Sequence, residues 1–258
     1  MTVKAGLKNM VLKGVNLSIG YKLHGGKVLH LQKELNMELR AGELVCLVGP
    51  NGSGKSTLIR TLAGLQKPLS GSVILDGYDI SAMKVPEKSQ LLGIILTERN
   101  TVDNITVFEI VSMGRYNYTN WLGTIREQDR KKISKAIYLV GLHGFENRFF
   151  GSLSDGEKQR TFIAKTLASE ASILLLDEPI AQLDIPNRVE IMTFLKKLTH
   201  ISDYSVLVST HELDIALKIA DKIWLIIPGD KMLIGTPDEV IKSGYLDELF
   251  GNELISFK

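Results

Sequence analysis

The 258-residue chain is 44% hydrophobic and 23% charged, which suits one large globular α/β domain with subdomains better than several independent domains. Thirty-one Lys+Arg against 29 Asp+Glu leave a net charge of +2, so no overall field makes nucleic acid the expected partner, and the basic stretch Arg130 to Lys132 reads as a solvated helix face. A single cysteine excludes an intrachain disulfide and fits a reducing compartment, while no run approaches the roughly 20 apolar residues that cross a bilayer.

In chain order, the opening MTVKAGLKNM lacks the apolar core of a secretion signal. Two strand-like runs follow, Val11 to Ile19 and Val28 to Leu39, separated by the turn-rich His24-Gly25-Gly26; they predict an antiparallel β layer. The apolar run Leu44 to Val48 then leads into GPNGSGKST: Gly49, Pro50, Asn51, Gly52, Ser53, Gly54, Lys55, Ser56 and Thr57, with Leu58, Ile59 and Leu62 beyond. Strand, glycine-rich turn and helix make the P-loop arrangement for a nucleotide triphosphate. Glycines let successive N–H groups curl around phosphate oxygens, and the helix presents its positive end to them. Lys55 supplies a compact charge for the β- and γ-phosphates and Ser56 a hydroxyl for Mg²⁺. Cys46, in the strand before this loop, reads as buried filler.

Gly71 to Asp76 adds a strand to the first layer. From Asn100 to Gly151 helical patterns dominate. Between Glu127 and Gly141, Ile133, Ile137 and Val140 form one apolar stripe with Arg130, Lys131 and Lys135 off it, predicting an inserted helical subdomain whose helix stops at Gly141. A helix from about Glu157 to Ser169, the strand Ile173 to Asp177, a helix from about Asn187 to Thr199 and the strand Ser205 to Ser209 come next. Their Leu, Ile and Val content argues for a parallel sheet covered on both sides. Ile223 to Ile227 and Met232 to Ile234 read as terminal strands before a helical tail at Tyr245 to Phe250.

The run ILLLDEP ends a buried strand in two acids, which puts Asp177 within reach of a Mg²⁺ shell and Glu178 where it can polarise a water in line with the γ-phosphate. SLSDGEKQR, Ser152 to Arg160, resembles the signature motif of ATP-binding cassette (ABC) ATPases, LSGGQ, with Asp155 in place of a glycine and Glu157 in place of glutamine. The same residues also read as an ordinary capping box from Ser154 to Glu157. The resemblance implies that Ser154, Gly156 and neighbouring amides donate to a γ-phosphate held on a partner's P-loop, in a homodimer formed on ATP binding. It further implies that Leu183-Asp184 ends the D-loop, that His211 contacts the γ-phosphate and that Tyr21 stacks on adenine. Where the family has the Q-loop glutamine this chain has Glu98, a carboxylate that can still meet Mg²⁺ or orient water; its added negative charge is expected to alter metal affinity and slow turnover.

The fold implied is α/β, a P-loop NTPase with a RecA-like parallel-sheet core, an N-terminal antiparallel β layer and an inserted helical subdomain. Its boundaries would be about 1–98 and 152–258 for core and β layer, and about 99–151 for the subdomain. TVFEIVSMGRY (Thr106 to Tyr116), NWLG (Asn120 to Gly123) and LVGL (Leu139 to Leu142) resemble the subdomain of importer ATPases that take up iron chelates, haem or cobalamin. That implies ATP and Mg²⁺ as ligands, integral membrane permease subunits as partners, an external substrate-binding protein as an indirect one, and a cytoplasmic position on the inner face of the membrane. Val107, Met113, Tyr116 and Trp121 become candidates for the permease-facing groove. The rivals are a soluble ABC ATPase coupled to no permease, for example in cluster assembly, and a non-hydrolytic nucleotide sensor suggested by Glu98 and Asp155.

Overall fold

The computed structural model of the protein describes residues 11–97, 103–119, 123–202, 204–229 and 231–251. It opens on a hairpin of β1 (Leu12–Lys22) and β2 (Val28–Leu39), turned by a 3-10 segment at His24–Gly26. β3 (Leu44–Val48) runs into the glycine loop and α1 (Lys55–Leu62), followed by β4 (Ser70–Leu75), β5 (Tyr78–Asp79), α2 (Val85–Leu91) and β6 (Leu92–Ile95). α3 (Val107–Ser112), a 3-10 segment Met113–Tyr118 and α4 (Glu127–Leu139) precede α5 (Asp155–Ala168). Strands and helices then alternate through β7 (Ile173–Asp177), α6 (Ile185–Ser202), β8 (Ser205–Ser209), α7 (Leu213–Ile219) and β9 (Lys222–Ile227), ending with β10 (Lys231–Gly235), α8 (Pro237–Lys242) and α9 (Tyr245–Phe250).

Two sheets result. The smaller is antiparallel in the order β2-β1-β4-β5; the larger has the order β10-β9-β3-β8-β7-β6 and is parallel except for β10. β3 is fully buried between β8 and β9, and its alternation feeds two cores. Leu44, Cys46 and Val48 join the helical side with Val107, Ile163 and Ile191, while Val45 and Leu47 join α1 and the small sheet through Leu58, Ile59, Leu17 and Leu39. A strand buried on both faces has no polar side, which is why its sequence is a continuous apolar run. Burial pushes the Cys46 thiol up to about 12, so it stays an inert filler.

In the helical insertion Ile133, Ile137 and Val140 are buried against α3 and α5, and Gly141 ends the helix with φ 76°. Arg160 Nη1 donates to the Val140 carbonyl at 3.1 Å, serving one of the orphan acceptors of that helix end. Arg115, in the 3-10 segment, is buried and ion-paired to the equally buried Asp129. Val107 is core rather than groove, because it forms the inner face of α3; Met113 and Tyr116 are 48% and 79% exposed, and Trp121 lies outside the described residues.

Several bounds differ from the sequence reading. β1 continues past Ile19 to Lys22, carried by its pairing with β2. α5 begins at Asp155 because Ser154 is its N-cap, and β10 runs antiparallel after the tight turn behind β9. β5, α2, α7 and α8 have seven residues or fewer, too short for periodicity to reveal.

Candidate active site

The site lies at the carboxyl ends of β3, β7 and β8, where the order of the parallel sheet makes a crevice. Gly52 and Gly54 have φ of 78° and 101°, so the loop needs glycine to turn back into α1. At Gly49 a Cβ would meet Ile226 Cβ at 3.0 Å, which keeps the loop tight on β9. Lys55 folds over the loop, donating from Nζ to the carbonyls of Gly49 at 2.9 Å and Pro50 at 3.2 Å. Burial holds its ammonium below the usual lysine range, opposed by the charges of Glu178 and Asp177.

A cleft of about 510 Å³ opens over this loop, lined by Tyr21, Leu31, Asn51, Gly52, Gly54, Lys55, Ser56, Thr57, Arg60, Thr97, Asp177 and Glu178. Tyr21, 45% exposed at the end of β1, has its hydroxyl 2.9 Å from Thr57 Oγ1, which fixes the ring at one wall. The cleft offers a cation, helix-start N–H groups and an aromatic wall, the complement of an anionic polyphosphate with a planar base.

Asp177 ends β7 buried among three hydroxyls: Ser56 Oγ at 3.1 Å, Ser209 Oγ at 2.6 Å and Thr97 Oγ1 at 2.8 Å all donate to it. Glu178 turns into the left-handed region with φ 49°, a conformation costing a side chain of this kind about 1 kcal/mol or more. It is held there because its N–H donates to Ser209, to Oγ at 2.9 Å and to the carbonyl at 3.2 Å. Its Oε2 stands 2.9 Å from His211 Nδ1, and His211 Nε2 stands 3.1 Å from Glu212 Oε1. His211 therefore sits between two carboxylates, close behind the cleft.

Ser154, Gly156 and Glu157 do not line the cleft; Ser154 and Glu157 cap α5, and Gly156 is buried in its first turn. Ser154 Oγ accepts from the Glu157 N–H at 3.3 Å and Glu157 Oε2 from the Ser154 N–H at 2.7 Å, so the capping box is formed. Gly156 packs against the start of α6, where a Cβ would lie 2.9 Å from Asn187 Oδ1. Asp184 Oδ1 accepts from Asn187 N at 3.1 Å and Nδ2 at 2.6 Å and caps α6. Glu98 lies outside the described residues. Sequence reasoning passed over Thr97, Ser209, Arg188 and Glu212; only their positions at or just beyond strand ends or near Asp184 and His211 could have signalled them.

Mg²⁺ fits what is present. Ser56 and Asp177 bring two hard oxygen donors together, and among the described residues no group of three or more His, Cys, Asp or Glu could hold a metal. A site with one or two protein oxygens suits an ion that keeps waters and takes phosphate oxygens as ligands.

A family profile described as ABC transporter matches residues 32–181. The chain is 34% identical over 226 residues to a petrobactin import ATP-binding protein of Bacillus anthracis, covering 88% of this chain and 83% of that one. It is 32% identical over 240 residues to the ferric enterobactin transport ATP-binding protein of Escherichia coli, covering 93% and 87%. An ATP-binding cassette solved as a dimer, in a post-hydrolysis state with ADP and Pi, superposes with a TM-score of 0.75 at 27% identity, over 88% of this chain and 98% of that one.

Proposed function

The chain belongs to the ABC transporter family, as an ATPase subunit, and on that premise we propose that it drives uptake of an iron chelate (siderophore or haem) or cobalamin through a separate permease. The observation that carries the reading is the meeting, at one cleft, of the Lys55 loop, the Ser56–Asp177 pair and the strained Glu178. In this reading ATP lies with its phosphates on the glycine loop and its adenine against Tyr21. Ser56 and Asp177 would hold Mg²⁺, for which Glu98 is a further candidate ligand; the ion would supply charge neutralisation on the phosphates.

Glu178 takes the proton of a water as its oxygen bonds to the γ-phosphorus, the bond to the ADP oxygen breaks, and ADP and phosphate leave. Lys55 stabilises the charge moving onto the leaving oxygens, and His211 orients the γ-phosphate and the base. Ser154, Gly156 and Glu157 at the start of α5, with Asp184, complete the site on a second copy, so that ATP closes a homodimer and hydrolysis opens it. Residues 99–151 would then be the subdomain that meets the permease, with Met113 and Tyr116 toward it, at the cytoplasmic face of the membrane; a substrate-binding protein acts from outside. No helix among the described residues is long and apolar enough to cross a membrane.

The relatives, import subunits over most of their length, favour this reading over a cassette that serves no permease. Glu178→Gln tests it: the variant is expected to bind ATP and elute as a dimer with ATP and Mg²⁺ while losing steady turnover, and continued hydrolysis would overturn Glu178 as base. ATPase activity changed by co-expression with a polytopic membrane subunit separates the importer from its rivals.

A further inference from the structure

The glycine loop rests on the small sheet. A Cβ at Gly54 would stand 3.2 Å from Leu31 Cβ of β2 and 3.4 Å from Ile19 Cδ1 of β1, so the backbone lies directly against the two strands. Gln32 follows Leu31 and is the register partner of Ile19. It is 3% exposed, in a strand whose other buried side chains are Leu35, Met37 and Leu39. Its Nε2 donates to the Ser53 carbonyl at 3.4 Å, and its Oε1 has no partner among the described residues. An amide buried with half its capacity unserved costs stability that an apolar side chain of the same size does not. A residue that breaks the pattern of its own strand at such a cost marks a task other than packing.

We propose that Gln32 is a positioning residue of the phosphate site: by holding the Ser53 carbonyl toward β2, it aims the Gly54 N–H at the phosphates. The peptide between Ser53 and Gly54 is planar and trans, so its C=O and N–H point in opposite directions and fixing one fixes the other. Gly54 lines the cleft at φ 101°, where the freedom of glycine lets the plane turn. Without a donor behind it, the same plane can present its carbonyl to the cleft, which repels an anion. Ordering the loop in advance raises affinity by raising the fraction of molecules competent to bind. Once phosphate is seated, the plane has one direction with or without Gln32. The inference rests on the reading of the glycine loop as the phosphate site.

Titration calorimetry with ATP and with ADP tests it, on Gln32→Met, which keeps the length of the side chain, and on Gln32→Leu, which does not. Both variants are expected to bind both nucleotides about 5- to 20-fold more weakly than the native chain, with KM for ATP raised by a similar factor and kcat within about twofold. Unchanged affinity, a loss that falls on kcat, or weakening in only one of the two variants would overturn the proposal. A second measurement needs no nucleotide. In protein made by cell-free synthesis with ¹³C′-serine and ¹⁵N-glycine, only Ser-Gly peptides give a carbonyl–nitrogen correlation, and the chain has three: Ser53-Gly54, Ser70-Gly71 and Ser243-Gly244. The one lost in Ser53→Ala reports the loop. It should shift or broaden in both variants while the other two stay in place, which also shows the fold to be intact. A Ser53-Gly54 correlation that stays in place overturns the proposal even if binding is lost. Native protein that binds neither nucleotide would sink the phosphate-site reading, whereas native binding matched by both variants sinks the positioning role alone.

Discussion

Replacing Arg115 by methionine should cost the protein about 3 kcal/mol, and the structure says where that comes from. Arg115 and Asp129 are 2% and 1% exposed; Nε and Nη2 reach Asp129 Oδ1 at 3.0 and 2.9 Å. Nη1 donates to the Ala168 carbonyl at 2.9 Å and to Glu170 at 3.0 Å, and the guanidinium lies 3.7 Å from the centre of the Tyr118 ring. Methionine fills most of the volume but leaves the Asp129 carboxylate buried without its cation, while the Arg126 N–H still donates to it at 3.3 Å. Breaking such a pair one-sidedly costs roughly 3–5 kcal/mol, and the remaining N–H argues for the lower end. Urea unfolding followed by circular dichroism reads the loss as a lowered midpoint at unchanged slope. Adding Asp129→Asn removes the stranded charge and should return about 1 kcal/mol or more. A loss below about 1 kcal/mol in the single variant, or strictly additive losses in the pair, would refute the argument that the charge is desolvated and paired.

Ser209→Ala removes a hydroxyl that donates to Asp177 and accepts from the Glu178 N–H; kcat should fall about tenfold, while stability falls by less than about 2 kcal/mol because Thr97 and the Ser209 carbonyl remain as partners. Tyr21→Phe should leave ATP affinity within about twofold, whereas Tyr21→Ala should weaken it by about 1–3 kcal/mol if the ring stacks on adenine; equal affinities by titration calorimetry would dismiss that role. Burial disfavours the Glu170 carboxylate, yet hydrogen bonds from Lys132 and Arg115 outweigh it and hold its pKa below the ordinary range. A depressed carboxylate stabilises above its unfolded pKa and loses that contribution as pH falls through the folded value. The urea midpoint should therefore drop more between about pH 5 and 3 in the native chain than in Glu170→Gln.

The parts legible in the sequence are those in which one residue type meets one physical demand. Glycines at positive φ before α1, the apolar β3 and the stripe of Ile133, Ile137 and Val140 were readable because turn geometry, double-sided burial and helical period each leave a pattern. Ser154 and Glu157 were readable as a cap for the same reason. Glu212, Arg188 and Thr97 were not, since Arg188 of α6 meets Glu212 after β8, and Thr97 after β6 meets Asp177, through tertiary contact alone. Nor does sequence say that Val107 turns inward while Tyr116 faces out; a short helix continued by a 3-10 segment breaks the periodicity that would separate them.

One chain carries both halves of the proposed ATP site, yet Ser154 and Gly156 are absent from the walls of the cleft that holds Lys55 and Glu178. A single protomer therefore surrounds a γ-phosphate on one side only. If the start of α5 is to reach one, it must be the phosphate of another copy, and a two-fold axis is the arrangement in which the same contact, made once, is automatically made twice. A head-to-tail pairing would satisfy one site and leave the next open, growing with nucleotide instead of closing. The expected species is thus a closed dimer holding two ATP. Trapped Glu178→Gln protein sized by light scattering should therefore stop at two copies at every ATP concentration; larger assemblies would contradict the two-fold pairing.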